Sequence, residues 1–243
     1  RLGPRPRADV ETTLLVLGAG PGGYTAAFRA ADLGVDTVLV DRDSALGGVC
    51  LNVGCIPSKA LLHAAKVITD AEEMTELGLK FQKPEIDLDA LRGWKDRVVG
   101  RLTGGLEQLA KKRKVRVLRG TGRFTSPRVL GVTGPDGATT TVSFDHAIVA
   151  AGSEPVRLPF FPDDDRIMDS TGALELRDIP ERLLVVGGGI IGLEMACVYD
   201  ALGSRVTVVE LLEGLMPGAD RDIVKPFERR MKKRLEPVRL KTK

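Results

Sequence analysis

Aromatic side chains are scarce in this 243-residue chain, which has one Trp and two Tyr, and His occurs only twice. Tight turns and close backbone approach, served by 28 Gly, are therefore a better reading than an aromatic recognition surface. Only three Cys are present, and no export signal is expected to precede them, because the opening Arg1–Arg7 stretch is rich in Pro and Arg and no apolar segment of about 7–15 residues precedes a small-residue cleavage site. Residues 1–9 read as a flexible tail or linker; the Arg start fits either an excerpt of a longer chain or a lost initiator. No apolar run reaches the roughly 18 residues of a membrane span. The longest, Leu183–Leu193, is broken by glycines and followed by Glu194. A net charge of +3 is too small to imply nucleic acid, and the basic run Arg229, Arg230, Lys232, Lys233, Arg234 reads as the solvated face of a helix. The expectation is a soluble, cytoplasmic protein with no metal site, no nucleic acid and no membrane.

What is present is an internal echo. Leu14-Leu15-Val16-Leu17-Gly18-Ala19-Gly20 recurs as Leu183-Leu184-Val185-Val186-Gly187-Gly188-Gly189, and the offset of 169, from Gly18 to Gly187, also carries Leu33-Gly34 to Leu202-Gly203 and Asp41 to Glu210. Each copy reads strand, glycine turn, helix, strand, acid. The expected fold class is α/β with two Rossmann-like dinucleotide-binding domains, 10–153 and 154–243, the second incomplete at its C-terminal end. In the first, strands over 12–17 and 37–40 flank a helix over 22–33, helices follow over 58–77 and 87–112 and pack on the sheet, and short strands from Val115 to Val149 form an inserted antiparallel meander. In the second, strands over 183–186 and 205–209 and one near 237–240 alternate with helices over 190–202 and 220–234.

The first turn, Gly18-x-Gly20-x-x-Gly23, follows a strand and opens a helix, so its glycines permit the tight turn, the approach of a pyrophosphate and close helix packing. Asp41, at the end of the next strand, can accept hydrogen bonds from ribose hydroxyls. Gly187-x-Gly189-x-x-Gly192 with Glu210 repeats the device, and an acid there binds a 2′-hydroxyl and repels a 2′-phosphate, favouring NAD over NADP. Arg205, at the start of its strand, points away from that acid. Between the first acid and the helix that follows it, within the first domain, lies Cys50-x-x-x-x-Cys55, and a close pair near a cofactor site in a chain so poor in cysteine reads as redox-active. Pro57 and the residues after it offer a helix N-terminus beside Cys55, whose dipole favours a thiolate. Cys197, in mid-helix, reads as inert packing, and His63 and His146 as packed or surface residues.

The run GGVCLNVGCIPSKALL, Gly47 to Leu62, resembles the redox-disulfide signature of the dihydrolipoyl dehydrogenases, within the class I pyridine nucleotide-disulfide oxidoreductases. The likeness extends from about Thr12 to the last residue through LGAGPGGYTAAFRAADLG, LTGGLEQLAKKRKV, AIVAAGSEPVRLPF and GGGIIGLEMACVY; mercuric reductases are close to it too. The resemblance implies FAD held by Gly18, Gly20 and Gly23, by Asp41 where the family usually has Glu, by the segment Arg42 to Cys50 including Gly47, Gly48 and Val49, and by Gly122 and Gly152. It implies NAD on Gly187, Gly188, Gly189, Ile190, Ile191, Gly192 and Glu210, and Lys59 beside the flavin, paired with Glu194. Cys50 would exchange with dihydrolipoamide and Cys55 would face the flavin. The implied partners are the lipoyl-bearing acyltransferase of a 2-oxoacid dehydrogenase complex or the glycine cleavage system, and a second subunit. The family's His-Glu base and interface domain have no counterpart in these residues, so a catalytically silent nucleotide-binding fragment stands as the alternative.

Overall fold

In the computed structural model of the chain, residues 5–242 are described, so residues 1–4 of the expected tail lie outside them. From Arg5 onward the tail is tied down. Arg5 donates to the Thr12 carbonyl at 2.7 Å, and the Asp9 carboxylate accepts from the Thr141 N–H and hydroxyl at 2.8 and 2.7 Å. Those bonds hold the exposed Asp9 carboxyl below its usual range.

Two compact units divide the chain, one running to Ile56 and including Arg97–Glu154, the other combining Pro57–Asp96 with the chain from Pro155 onward. In the first, β1 (Val10–Leu17), α1 (Pro21–Asp32) and β2 (Thr37–Asp41) form a parallel β-α-β unit, and β2 pairs in parallel with β3 (Arg116–Arg119). The antiparallel ribbon β4 (Thr121–Ser126) and β5 (Val129–Thr133) continues into β6 (Thr139–Val149). The sheet order is β3-β2-β1-β6-β5-β4. The meander is thus continuous with the parallel sheet, because the eleven-residue β6 pairs antiparallel with β5 and parallel with β1, Val142 serving both as partner of Leu130 and of Val10.

Period-two alternation explains the apolar runs. On β1 and β2, Leu15, Val38 and Val40 enter a core with Leu130 and Phe144, while Val16 and Leu39 enter a second with Phe28 and Leu106. Strands buried on both faces read as unbroken apolar sequence. Leu106 and Ala110 of α4 (Leu88–Lys112) belong to that second core.

The second unit carries α5 (Ser170–Glu175), β7 (Arg182–Val186), α6 (Ile190–Leu202), β8 (Arg205–Val209), α7 (Arg221–Arg234) and β9 (Val238–Arg239), with an all-parallel sheet ordered β7-β8-β9. The helix α3 (Cys55–Glu73) departs from its expected place on the first sheet. Its Leu61 and Ala65 enter the core of Leu193, Ala196, Tyr199, Val206 and Val208, because the apolar stripe of α3 meets the apolar α6. The basic run of α7 is also not wholly solvated. Arg230 pairs with Glu73 at 2.6 Å, and Arg234 with Asp200 and Glu72 at 2.8 and 3.2 Å, since the end of α3 presents acids to it.

Candidate active site

At the first glycine turn Gly18 takes φ +100°, and a Cβ there would strike the Ala150 carbonyl; a Cβ on Gly23 would strike the carbonyl of Gly18 itself. Only glycine at both positions lets β1 pass so tightly into α1. Pro21 opens α1, where its missing N–H leaves no bond unmade. Asp41 is buried and braces the turn, one carboxylate oxygen accepting the Ala19 N–H and the other the Asp43 N–H at 2.8 Å. The Gly47 N–H donates to the Ala19 carbonyl at 2.9 Å, and a Cβ on Gly48 would stand 2.6 Å from the Gly20 Cα. Three backbone segments therefore meet with no side chain between them.

That contact seats the head of α2 (Gly48–Val53), a short helix carrying Cys50, against the glycine turn. After α2 the chain bends at Gly54, where a Cβ would lie 3.3 Å from the Cys50 Cα, and Cys55 is the first residue of the 19-residue α3. The two cysteines thus lie near each other, Cys50 half-buried and Cys55 exposed. Of the other residues expected at this site, Arg42 and Val49 are exposed, and Gly152 takes φ +76° in open space. Gly122 lacks a side chain where Leu17 and Leu130 fill the room, so packing within the unit accounts for it.

In the second unit Gly187 takes φ +108°, and a Cβ on Gly192 would lie 2.5 Å from the Gly187 carbonyl oxygen. Glu210 repeats the bracing seen at Asp41. Buried at the end of β8, it accepts the Gly188 N–H at 2.6 Å and the Leu212 N–H at 2.7 Å. Gly189, Ile190 and Ile191, at the head of α6, are exposed. Arg205, at the opposite end of β8, is paired with Glu181. Lys59 and Glu194, both in this unit, meet at 2.5 Å, and Ser58 donates to the other Glu194 oxygen at 2.6 Å. His63 is exposed with its ring 6.4 Å from Trp94, and His146 is exposed on β6.

The loop that walls the second turn carries almost no sequence signal. Met216, at φ +47°, donates its N–H to the Gly188 carbonyl at 2.9 Å, and a Cβ on Gly188 would strike the Leu215 side chain. Arg221 holds the loop through the carbonyls of Leu215, Met216 and Ala219, at 2.9, 2.6 and 3.0 Å. The only sequence cue is the Pro217-Gly218 break.

A family model described as pyridine nucleotide-disulphide oxidoreductase matches residues 12–243. The chain belongs to that family. It is 57% identical to a dihydrolipoyl dehydrogenase of Vibrio cholerae over 92% of this chain and 47% of that protein, and 55% identical to one of Haemophilus influenzae over 97% and 49%. Against the mitochondrial enzyme of Pisum sativum, identity is 46% over 96% and 47%. The chain thus spans about half the length of the curated relatives it matches. A solved structure of the HOCl-induced flavoprotein disulfide reductase RclA from Escherichia coli, a Cu(II) complex, superposes with a TM-score of 0.82 at 26% identity, covering 96% of this chain and 50% of that one. The family is FAD-dependent, and the side-chain-free cradle at Gly18, Gly20, Gly23 and Gly48 fits the pyrophosphate of such a group. Among the described residues no helix is long and apolar enough to cross a membrane.

Proposed function

We propose that this chain is the flavin- and nicotinamide-binding part of a dihydrolipoyl dehydrogenase, an enzyme that closes a dihydrolipoyl dithiol to its disulfide and passes the two electrons to NAD. The observation that carries the reading is the placement of Cys50, two residues after the Gly48 backbone that rests on Gly20, with Cys55 heading α3 just beyond the bend at Gly54. Gly18, Gly20, Gly23, Gly47 and Gly48 hold the FAD pyrophosphate, and Asp41 has lone pairs left for ribose hydroxyls after its two backbone contacts. Arg42, Val49, Gly122 and Gly152 are assigned to the flavin site on the resemblance alone.

Cys50 and Cys55 form the working disulfide. A substrate thiolate attacks the Cys50 sulfur, and the electron pair of the broken S–S bond leaves on Cys55. The second substrate thiolate then attacks the mixed disulfide, releasing Cys50 as a thiolate and the substrate as its closed disulfide. The flavin, when bound, supplies a two-electron relay from the thiol pair to the nicotinamide. Lys59, paired with Glu194, is assigned a charge role beside the flavin on the resemblance alone. At the second turn Gly187 to Gly192 receive NAD. Glu210 favours a 2′-hydroxyl over a 2′-phosphate, and Arg205, tied to Glu181, offers no competing phosphate contact. The lipoyl group is presented by the acyltransferase of a 2-oxoacid dehydrogenase complex or by the glycine cleavage system, to a homodimer.

The test is flavin reduction. Protein purified in the presence of FAD should be yellow, and anaerobic dihydrolipoamide should bleach the flavin band in the parent but not in Cys50→Ser or Cys55→Ser, both of which keep their colour. Colourless protein, or bleaching that survives loss of either cysteine, overturns the reading.

A further inference from the structure

Away from both glycine turns, the second unit contains a cavity of about 220 Å³ lined by α3, α6 and α7, with Leu62, Ala65 and Leu235 among its apolar walls. Two sulfurs line it as well. The half-buried Cys197 thiol, on α6, donates to the sulfur of the buried Met231, on α7, at 3.6 Å. The other polar side chains of the wall are committed. Asp200 is tied to Arg234 at 2.8 Å, Arg230 to Glu73 at 2.6 Å, Lys66 to Asp70 at 2.5 Å, and the Thr69 hydroxyl donates to the Lys66 carbonyl at 3.1 Å.

We propose that Cys197 and Met231 form a two-sulfur site for a soft monovalent metal ion of the Cu(I) type. Thiolate and thioether are the donors such ions prefer. Hard cations need a shell of oxygens, and zinc needs four nitrogen, sulfur or oxygen donors. Among the described residues no group of three His, Cys, Asp or Glu stands close enough to hold such a metal. Charge selects in the same direction. A monovalent ion on one thiolate is neutral, whereas a divalent ion would leave an uncompensated positive charge, because the nearby Asp200 and Glu73 carboxylates are already paired with Arg234 and Arg230.

Binding replaces the S–H bond of Cys197 with an S–Cu bond, releases one proton to solvent and moves no electrons. Burial, followed by the Asp200 carboxylate, pushes the free thiol up, so it carries that proton at neutral pH. The unbranched Met231 side chain has the rotatable bonds to open the sulfur pair around an ion. An occupied site links α6 to α7.

The experiment is an anaerobic titration of the full chain with Cu(I) presented as its bicinchoninate complex. Cys50 and Cys55 are removed as competitors in two ways, by Cys50→Ser with Cys55→Ser, and by Cys50→Ala with Cys55→Ala. Either form should withdraw one equivalent of Cu(I), release one proton per ion and melt at a higher temperature. Adding Cys197→Ser should abolish withdrawal, and adding Met231→Leu should weaken it by about tenfold or more. The proposal fails if neither blocked form withdraws Cu(I), or if Met231→Leu binds as tightly as its parent. Far-UV circular dichroism of each variant separates loss of the site from loss of the fold.

Discussion

Ser58 and Glu194 lie 136 positions apart in sequence, and the hydroxyl of the first donates to the carboxylate of the second at 2.6 Å. Lys59 takes the other oxygen, so neighbouring residues of α3 divide one carboxylate of α6 between them. Their physical weights differ. Ser58 is buried, whereas the Lys59 side chain is 61% exposed.

Ser58→Ala should therefore cost about 1–2 kcal/mol of stability by leaving a carboxylate oxygen short of a partner. Lys59→Met should cost at most about 1 kcal/mol, because an exposed ion pair is largely compensated by solvent. Under the proposed function the order reverses for flavin reduction by dihydrolipoamide, which Lys59→Met slows and Ser58→Ala leaves closer to the parent. Thermal melts paired with anaerobic stopped-flow reduction read both scales. A Lys59 variant that melts lower than the Ser58 variant contradicts the assignment.

The two glycine turns share a backbone conformation but not a neighbourhood, which separates Gly18→Ala from Gly187→Ala. Both residues sit at strongly positive φ, +100° and +108°, where a side chain costs about 1–3 kcal/mol. A Cβ at Gly18 also meets the Ala150 carbonyl, whereas nothing lies within 4 Å of one at Gly187. Gly18→Ala should abolish flavin retention and unfold the first unit at a markedly lower temperature. Gly187→Ala should keep the flavin and show only a modest drop in melting temperature. Equal destabilisation of the two would mean that the Ala150 contact relaxes freely.

Much of this was legible because glycine spacing and strand alternation are local. Leu15 and Val16 point to opposite faces of a sheet whatever surrounds them, and the offset linking Gly18 to Gly187 needs no structure to be seen. What the sequence withheld is the identity of the partner across a packed face. The stripe of Leu61 and Ala65 says that α3 buries one side, yet nothing local says that the cover is Leu193 and Tyr199. Arg230 and Arg234 read as solvated charges until Glu72, Glu73 and Asp200 are found opposite them. The helix α2 escaped notice because six residues are too few to show a period, and its start depends on Gly47 at φ +120°.

Glu210 has two tasks that mutation can separate. Its oxygens satisfy the Gly188 and Leu212 N–H groups, and its charge is the proposed barrier to a 2′-phosphate. Glu210→Gln removes the charge and keeps one acceptor, while Glu210→Ala leaves both donors without their partner, at about 1–3 kcal/mol for each that stays buried. The expected pattern is improved NADP binding relative to NAD in both variants, with a large fall in melting temperature in the Ala variant alone. Isothermal titration with each nucleotide, beside thermal melts, checks it. Undiminished preference for NAD in the Gln variant would remove charge as the discriminator.

Tyr199 supplies the pH dependence. Its ring is 1% exposed, its hydroxyl donates to the Ala173 carbonyl at 2.9 Å, and burial pushes its pKa up to about 12. In the unfolded chain the phenol ionises near its ordinary value of about 10. Below that value the phenol is protonated in both states, and its contribution is fully present. As pH rises from about 10 towards 12 the unfolded state gains by ionising while the folded state does not, so stability falls across that window. Urea midpoints followed from neutral to alkaline pH should decline more steeply there for the parent than for Tyr199→Phe, which has no phenol to ionise. Phenolate absorbance should show one of the two tyrosines ionising only near the top of the window, and that late step should vanish in the Phe variant. If the step stays, or if the two midpoint curves run parallel, the buried hydroxyl is not what limits stability in alkali.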